Sequence, residues 1–391
     1  MKIGIAVFAY CRNDHLEQVL CGLKENKNID KIYIFQDGLK TEEHRNGWEE
    51  TTRLIEAIDW CEIKYIKAFR NRGLRTSIIE GINHVLQEND AIIAIEDDCV
   101  PTENFIDYMR MCLEKYEFEK RVWNVSGFAR AFLNDGQGAY FSQKMEAWGW
   151  GTWKDRWEQC DFDKDYLTLL KSDRLLALKT NIWYGLGIEN IFRDQNRGVI
   201  DTWDAWWMMC ILEHDGLCLN PYKSYIKNIG FDGSGTNCGK DFVKNYHSKM
   251  QDSRDALVVL PEIIGIEETI KYTFAFEGTG SSLAYMNAQG GENAKKRALV
   301  YGVGHGLRKY ENQIAEFYEV VAFVDRERQG FYAGKDIITP EHMCQYVDND
   351  DEILILITLL DSERGERIKA GLVSEYKVST ERVIILSDSK R

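Results

Sequence analysis

Three consecutive acidic residues, Glu96, Asp97 and Asp98, directly follow the apolar run at 91–95. Like charges held this close resist ionisation unless a positive or hydrogen-bonding group lies among them. Carboxylate oxygens suit Mg²⁺ and Mn²⁺, which are often held by one or two carboxylates together with substrate phosphates. The triplet therefore predicts a divalent-cation site, and the alternative is a solvated turn ahead of a helix that begins near Pro101.

Side chains alternate between the two faces of a strand, so Glu96 and Asp98 are expected on one side and Asp97 on the other. This arrangement predicts a division of labour at the strand end. One carboxylate holds the cation, and its neighbour accepts hydrogen bonds from a sugar hydroxyl.

Charged residues also follow three other predicted strands. Arg12 comes after the first and Asp37 after the second, and a basic turn with Arg70, Arg72 and Arg75 follows the third. Arginine side chains and the N–H groups at a helix N-terminus both bind phosphate. The basic turn therefore predicts phosphate contacts, with a solvated turn as an equal alternative.

Two aromatic segments complete the set. EAWGWGTW at 146–153 interleaves tryptophan with glycine, a composition suited to stacking on sugar rings with a close backbone approach. DTWDAWW at 201–207 opens an apolar helix and carries two acids, Asp201 and Asp204. The alternatives are that the tryptophans belong to the core and that Asp201 caps the helix.

These residues need a scaffold, and the hydrophobic pattern predicts one. Apolar runs alternate with helical patterns, which is typical of a parallel, doubly wound sheet with crossover helices. In such sheets, ligands bind beyond the carboxyl ends of the strands, where the charged residues named above lie. The predicted strands are 3–9, 31–35, 63–67, 91–95 and 122–126.

The length of 391 residues favours two domains. All eleven tryptophans lie at or before Trp207, and the glycine-rich, polar stretch at 278–296 marks a linker or exposed loop. A second alternation then begins, with strands at 297–301, 320–324, 353–357 and 383–386. We therefore predict a larger domain at 1–275, a linker at 276–296 and a small Rossmann-like α/β domain at 297–391.

Composition narrows the partners and the compartment. A net charge of -14 argues against nucleic acid as a partner. Ten cysteines without a CxxC pair favour a reduced, cytoplasmic setting. The apolar run at 3–9 is too short for a signal peptide, and no run reaches the roughly 18 apolar residues of a membrane span. We expect a cytoplasmic protein, with peripheral association at the inner face of the membrane left open and the oligomeric state unknown.

Five motifs occur in a characteristic order along roughly the first 250 residues. In this order they resemble the eukaryotic alpha-1,3-mannosyl-glycoprotein 2-beta-N-acetylglucosaminyltransferases and their bacterial relatives within the GT-A glycosyltransferases. One departure is that this chain has Asn237 where many bacterial relatives carry histidine. The motifs are AYCRN (9–13), FQDG (35–38), IEDDCVPTENF (95–105), WGWGTW (148–153) and TWDAWW (202–207).

The resemblance implies a GT-A type doubly wound mixed sheet and a role for each matching residue. It implies a nucleotide-sugar donor, with UDP as the nucleotide, and a Mn²⁺ or Mg²⁺ cofactor. The implied roles are nucleobase binding for Arg12 and Asp37, a contact to the transferred sugar for Glu96, a ribose contact for Asp97, metal binding for Asp98 and general base catalysis for Asp204. Arg72 is added as a phosphate contact, and Trp148, Gly149, Trp150 and Trp203 are added as sugar or acceptor contacts.

The predicted reaction is an inverting, metal-dependent transfer of a hexosyl or N-acetylhexosaminyl group. One base and no enzyme nucleophile imply inversion at the anomeric carbon. The expected acceptor is a hydroxyl of a glycan or lipid-linked glycan in bacterial surface polysaccharide assembly.

The C-terminal domain carries a second motif, with Gly302, Gly304 and Gly306 between a strand and a helix and Asp325 at the end of the next strand. Its G-x-G-x-G spacing departs from the dinucleotide fingerprint G-x-G-x-x-G. We therefore favour a structural or regulatory domain, and bound NAD or nucleotide is the alternative.

Two other function classes stay open. One is a sugar-nucleotide oxidoreductase or epimerase that uses the C-terminal domain, although the spacing from Tyr332 to Lys335 is one residue short of the expected Tyr-x-x-x-Lys. The other is a non-catalytic nucleotide-sugar-binding protein.

Overall fold

The computed structural model describes residues 1–133, 136–233, 250, 259–278, 280–290 and 295–386. Its contacts divide the chain into two compact units that interleave in sequence. Unit 1 comprises Met1–Lys164 and Asp194–Glu267, and unit 2 comprises Asp165–Arg193 and Glu268–Arg391.

Unit 1 contains ten strands in its described residues. They are β1 Ile3–Ala9, β2 Lys31–Gln36, β3 Glu62–Lys67, β4 Ala91–Glu96, β5 Cys99–Pro101, β6 Val122–Ser126, β7 Ala139–Ser142, β8 Trp150–Trp153, β9 Leu217–Pro221 and β10 Ile226–Asn228. Eight form one mixed sheet in the order β3-β2-β1-β4-β8-β6-β9-β7, and β5 and β10 form a separate antiparallel pair. Strands β1 to β4 are parallel, whereas β8 runs antiparallel to both of its neighbours.

Helices pack on both faces of this sheet. The helices of unit 1 are α1 Asn13–Lys24, α2 Arg45–Glu56, α3 Leu74–Leu86, α4 Phe105–Lys115, α5 Lys154–Trp157 and α9 Asp204–Glu213. Between α5 and α9 the chain forms three helices that belong wholly or mostly to unit 2: α6 Tyr166–Ser172, α7 Arg174–Trp183 and α8 Gly187–Asn196. Helix α1 buries Leu16, Val19, Leu20 and Leu23, the i, i+3, i+4, i+7 spacing of a core-facing helix.

The central parallel strands β1 and β4 read as continuous apolar runs because both of their faces are buried, whereas the edge strand β3 is only partly buried. All five residues at 91–95 are buried, for example. Because β1 pairs in parallel with both β2 and β4, the carboxyl ends of these three strands lie at one edge of the sheet, which from here is called the strand-end edge.

Unit 2 contains six strands and five further helices in its described residues. They are α10 Glu268–Phe276, α11 Ser282–Gln289, β11 Lys296–Tyr301, α12 His305–Phe317, β12 Tyr318–Val324, β13 Gly330–Tyr332, β14 Lys335–Ile338, α13 Pro340–Asn349, β15 Leu354–Ile357, α14 Ser362–Glu375 and β16 Val383–Ile385. The six strands form one sheet in the order β13-β14-β12-β11-β15-β16, which is parallel except for the β13-β14 pair.

The predicted α/β fold class, a mixed sheet wound with helices and a second, smaller Rossmann-like α/β unit, is confirmed, and its assignment to the GT-A type stays a prediction. All nine predicted strands are present, each within two residues of its expected bounds. The other seven described strands have no counterpart among the nine predicted ranges, and one of them, β8, coincides with the segment interpreted as a sugar-stacking motif. These seven strands are β5, β7, β8, β9, β10, β13 and β14.

The contacts divide the chain at other points than the predicted 275 and 296. Residues 165–193 and helix α10 join unit 2, and the expected linker contains helix α11. Among the described residues, no helix combines the length and the low charge needed to cross a membrane.

Candidate active site

The acid triplet lies where β4 leaves the sheet, beside Arg12, which follows the neighbouring strand β1. Strand β4 ends at Glu96, so Asp97 and Asp98 belong to the next turn and strand alternation no longer separates them. Both pair with Arg12: its Nη2 contacts Asp97 Oδ1 and lies 2.9 Å from Asp98 Oδ2. The expected placement of Asp97 away from Asp98 is therefore corrected, and the cation among these acids is an arginine of the chain itself.

Burial and mutual repulsion make this an electrostatically strained cluster. Burial, followed by the charges of Asp98 and Asp97, raises the pKa of Glu96 to about 8, against the opposing effect of Arg12. Burial also raises the pKa of Asp97, again opposed by Arg12. Burial alone would lower the pKa of Arg12, but the two aspartates outweigh it and raise that pKa above its ordinary value.

A second backbone segment, 228–230, closes over Asp98. The Ile229 N–H donates to the Asp98 carbonyl oxygen at 2.9 Å, and Asn228 stands opposite Cys99 in the β5-β10 pair. A Cβ atom on Gly230 would lie 2.2 Å from Asp98 Oδ2, so only glycine permits this approach. The sequence analysis did not identify Gly230 as a residue of the site.

The carboxylate of Asp98, the predicted metal ligand, is bound by groups of the chain itself. Its Oδ2 faces Arg12, and its Oδ1 accepts from the Cys99 thiol at 3.4 Å. Within the part of the chain that the structure describes, no group of three or more histidine, cysteine, aspartate or glutamate side chains is arranged to hold a metal ion. The described residues therefore do not fit a metal held by protein ligands alone, and the metal role of Asp98 stays a prediction.

Asp37 lies at the end of β2 and is almost fully buried, at 8% exposure. Its carboxylate accepts four hydrogen bonds from its own chain: the N–H groups of Gly38 at 2.8 Å, Arg72 at 2.9 Å and Gly73 at 3.1 Å, and the Asn71 side-chain amide at 2.8 Å. Asp37 thus clamps the 71–73 loop to the strand-end edge. The sequence suggested a nucleobase contact and missed this clamp.

Arg72 and Arg75 of the basic turn have different surroundings. Arg72 is exposed and pairs with Glu80, in the second turn of α3. Arg75 turns inward, where Nη2 donates to the Phe162 carbonyl oxygen and the guanidinium lies 4.8 Å from the Trp206 ring centroid. Arg75 is therefore engaged in packing rather than held ready for phosphate.

A cavity of about 410 Å³ adjoins the Asp37 clamp. Its lining includes the charged residues Asp37, Arg70, Arg72 and Glu80 and the rings of Phe35 and His84. The Ser77 hydroxyl and His84 Nε2 also belong to residues that line it, and both atoms are buried without a hydrogen-bond partner in the described structure. The cavity thus combines aromatic side chains, buried polar atoms without a partner and charged side chains of both signs.

Asp204 is the first residue of α9, and its carboxylate is oriented by its own neighbourhood. Its Oδ1 accepts from the Thr202 hydroxyl at 2.5 Å and from the Ala205 N–H at 2.9 Å. Among the described residues Oδ2 accepts no hydrogen bond. Asp204 also adds to the upward shift of the Glu96 pKa, so its charge acts within the acid cluster although it lies more than a hundred residues away in sequence.

A buried charged group that the sequence did not single out comprises Arg130, Lys144 and Glu146. Arg130 binds Glu146 through two hydrogen bonds of 2.6 and 2.8 Å. Lys144 is only 6% exposed. Burial, followed by the charge of Arg130, lowers the pKa of Lys144 to about 7, while Glu146 and Asp204 oppose that shift.

The tryptophans predicted to stack on sugar belong mostly to the core. Trp150 and Trp203 are 1% and 2% exposed, and their rings stack with centroids 5.0 Å apart. A Cβ atom on Gly149 would lie 2.4 Å from Ile226 Cγ1, so this glycine serves packing. These three expectations are corrected; Trp148, half-buried against Phe128, remains the one member of the set with an accessible ring.

No protein-family model matches the chain, and no curated protein matches it in sequence. Among solved structures it is similar to the mannosyltransferase PcManGT from Pyrobaculum calidifontis in complex with GDP-Man and Mn²⁺, with 11% identity, a TM-score of 0.31 and coverage of 39% of this chain and 45% of that one.

Two further structures are similar at the same level. S. aureus TarS 1–349 has 8% identity and a TM-score of 0.36, over 58% of this chain and 60% of that one. GalNAc-T7 with UDP, GalNAc and Mn²⁺ has 11% identity and a TM-score of 0.35, over 56% and 43%. The chain thus spans less than two thirds of each of these proteins, and no conclusion about its activity rests on them.

The glycine motif of unit 2 is built for packing as far as the structure describes it. The Asp325 carboxylate accepts from the N–H groups of Val303 at 2.9 Å, Glu327 at 2.9 Å and Arg328 at 3.0 Å. A Cβ atom on Gly306 would lie 1.7 Å from the Thr358 carbonyl oxygen. Asp325 therefore closes its own turn onto the glycine loop, and a bound NAD or nucleotide stays an untested alternative.

Tyr332 does not occupy a catalytic position. It is 1% exposed, and its hydroxyl donates to Glu311 at 2.7 Å and lies 3.2 Å from the Ser281 hydroxyl. This buried network stabilises unit 2 and leaves the phenol unavailable to a substrate. Asn237, the departure from the bacterial motif, lies outside the described residues.

Proposed function

We propose that unit 1 is a glycosyltransferase that moves a sugar from a nucleotide-sugar to an acceptor hydroxyl with inversion. The observation that carries the proposal is the convergence of Arg12, Asp37, the acid triplet and Asp204 at the strand-end edge. The charge of Asp204 acts on Glu96, which ties the two sequence-distant halves of the site together.

The donor side is supported by uncommitted polar groups. Arg12 Nη1 is buried, and no described residue accepts a hydrogen bond from it. It is therefore free to donate to a polar ligand group beside Asp97 and Asp98. The adjoining cavity of about 410 Å³, lined by aromatic and charged side chains that include Arg70 and Arg72, is of a size and polarity that suit part of a nucleotide.

In the proposed reaction the acceptor hydroxyl attacks the anomeric carbon from the face opposite the diphosphate. Asp204 Oδ2 takes the hydroxyl proton as the new C–O bond forms, while the bond from the anomeric carbon to the diphosphate oxygen breaks and its electrons leave with the nucleoside diphosphate. Thr202 and the Ala205 N–H hold the carboxylate in place through Oδ1. No covalent enzyme intermediate is needed.

The sequence resemblance supports finer features of the proposal: the donor is a UDP-sugar, and the acceptor is a glycan or lipid-linked glycan of bacterial surface polysaccharide. The cysteine usage supports a cytoplasmic protein, with association at the inner face of the membrane left open. A Mn²⁺ or Mg²⁺ ion at Asp98 is also proposed, and the proton transfer to Asp204 does not depend on it.

The test is incubation with a panel of nucleotide-sugars, with Mn²⁺, with Mg²⁺ and with EDTA, followed by measurement of released nucleoside diphosphate. Wild-type protein should release it slowly even into water, and Asp204→Asn should lose about 10²–10⁴ in turnover. A change in nicotinamide absorbance would support the oxidoreductase alternative instead. Donor binding without any release would support a non-catalytic binding protein.

A further inference from the structure

Helix α3 begins at the Asp37-clamped loop, and its N-terminus is capped by a residue from far away in sequence. Gly73 precedes the helix with φ +82° and has no side chain to cap it. Asp201 supplies the acceptor, because its Oδ2 accepts from the Arg75 N–H at 3.4 Å. A Cβ atom on Gly73 would lie 2.4 Å from the same oxygen, so the glycine allows the carboxylate to approach the helix end.

The side chain of Arg75 makes a second, independent link to the same stretch. Its guanidinium lies over the ring of Trp206 with 4.8 Å to the centroid and donates to the Phe162 carbonyl oxygen. Trp206 is 6% exposed, and its indole N–H donates to the Lys164 carbonyl oxygen at 3.1 Å. The first turn of α3 is thus joined to both ends of the 201–206 segment.

The proposed base, Asp204, lies between these two links. The loop before α3, residues 71–73, lies on the proposed donor side of the site and is called the donor loop from here. It is held by the Asp37 carboxylate. We propose that Asp201 is a positioning residue, which with Arg75 fixes the segment bearing Asp204 against the donor loop. This inference rests on the proposed function, because it assigns Asp201 an effect that acts through Asp204.

Loss of Asp201 should separate turnover from donor binding. The donor loop keeps its three hydrogen bonds to Asp37, so the affinity for UDP should change by no more than about twofold. The base loses one of its two anchors, and a displacement of about 1 Å at a reacting group costs up to about 100-fold in rate. We expect Asp201→Ala to lower kcat for nucleoside diphosphate release by about 10- to 100-fold.

The deciding experiment is a double-mutant cycle on the full chain with the donor that wild-type protein turns over. Asp201→Ala, Asp204→Asn and the double variant are compared for kcat and for UDP affinity by calorimetry. If Asp201 acts through Asp204, the double variant should be no slower than Asp204→Asn alone. A full multiplicative loss in the double variant, or weakened UDP affinity with unchanged kcat, would overturn the inference.

Two further variants control for chemistry and for the neighbourhood. Asp201→Asn keeps an acceptor oxygen at the helix end and should recover most of the turnover that Asp201→Ala loses. Asp163→Ala removes an exposed partner of Arg75, 3.4 Å away, and should leave turnover and UDP affinity unchanged. Equal loss in the asparagine and alanine variants would contradict a capping role.

Hydrogen exchange at the Arg75 amide tests the link without any activity. The exchange should be faster in Asp201→Ala than in wild type, because the amide loses its acceptor, and unchanged exchange would overturn the inference. If no donor is turned over by wild-type protein, the proposed function fails. In that case the exchange result still shows whether Asp201 holds the helix end.

Discussion

Arg12 Nη2 lies 2.9 Å from the carboxylate oxygen Oδ2 of Asp98, the residue predicted to bind a metal ion. The same nitrogen contacts Asp97, so one guanidinium neutralises two consecutive acids at the end of β4. Each of these side chains is largely buried, and each would be costly to leave without its partner. The pair therefore controls both the stability of the strand-end edge and its affinity for cations.

Arg12→Met should leave Asp97 and Asp98 buried beside each other without a counter-charge. Breaking a buried pair in this way typically costs about 3–5 kcal/mol, which urea unfolding in EDTA would measure. Addition of Mn²⁺ should recover part of the loss in the variant, because a divalent cation can replace the guanidinium. Lys31→Met, which removes an exposed pair with Glu62, should leave the unfolding midpoint unchanged.

Glu96→Gln should change how stability depends on pH. The pKa of Glu96 in the folded protein is raised from 4.5 to about 8, so the folded state holds this proton more tightly than the unfolded state does. The contribution of Glu96 to stability is therefore fully present below about pH 4.5 and is lost as pH rises toward 8. Glutamine does not ionise and escapes that loss.

The measurement is the melting temperature of both proteins in EDTA across this pH range. The two curves should agree near pH 4.5 and diverge as pH rises, with Glu96→Gln the more stable at pH 8. Glu103→Gln changes an exposed side chain in the same region and should follow the wild-type curve. A constant offset between the Glu96→Gln and wild-type curves would show that Glu96 does not titrate in this window.

The sequence predicted the parallel part of the scaffold because short apolar runs alternate with helical patterns along it. The run at 91–95 is an example: it is too short for a helix, and all five of its residues are buried. Strand β8 was missed because Trp150–Trp153 interrupts its apolar pattern with glycine, and that composition also suits a ligand surface. The structure decides between them, since all four residues of β8 are buried.

The sequence identified several residues of the candidate site but not the contacts that they make. Strand ends located Arg12, Asp37 and the triplet, and the β1-β4 pairing explains in retrospect why Arg12 meets the acids. The clamp by Asp37 and the cap by Asp201 depend on how distant loops cross. No local periodicity reports such a crossing, although the positive φ of Gly73 shows why a glycine stands there.

Asp37→Ala should loosen the donor loop. It removes the acceptor of four hydrogen bonds, and buried donors left unsatisfied cost about 1–3 kcal/mol. We expect a lower free energy of unfolding in urea and a lower affinity for UDP by calorimetry.

Asn71→Ala separates a clamp from a direct ligand contact, because it removes one of the four bonds and leaves the Asp37 carboxylate in place. A smaller loss in both measurements would support the clamp, whereas normal UDP affinity in Asn71→Ala beside a large loss in Asp37→Ala would favour direct contact. Asp59→Ala, at an exposed site, serves as the control for stability.

Trp150→Ala and Trp148→Ala should differ in their effects on stability and on acceptor binding, although the two residues are separated by one glycine. Trp150 is 1% exposed and stacks on Trp203, so its truncation should cost about 3–5 kcal/mol of stability in urea unfolding. Trp148 is half-buried, with ring contacts to Phe128 at 4.5 Å and Phe231 at 5.4 Å. Its truncation should cost less stability and should raise the KM for the acceptor more than that for the donor. Equal destabilisation by both variants would mean that the Trp148 ring is a core element as well, and the accessible aromatic surface would then have to be sought elsewhere in unit 1.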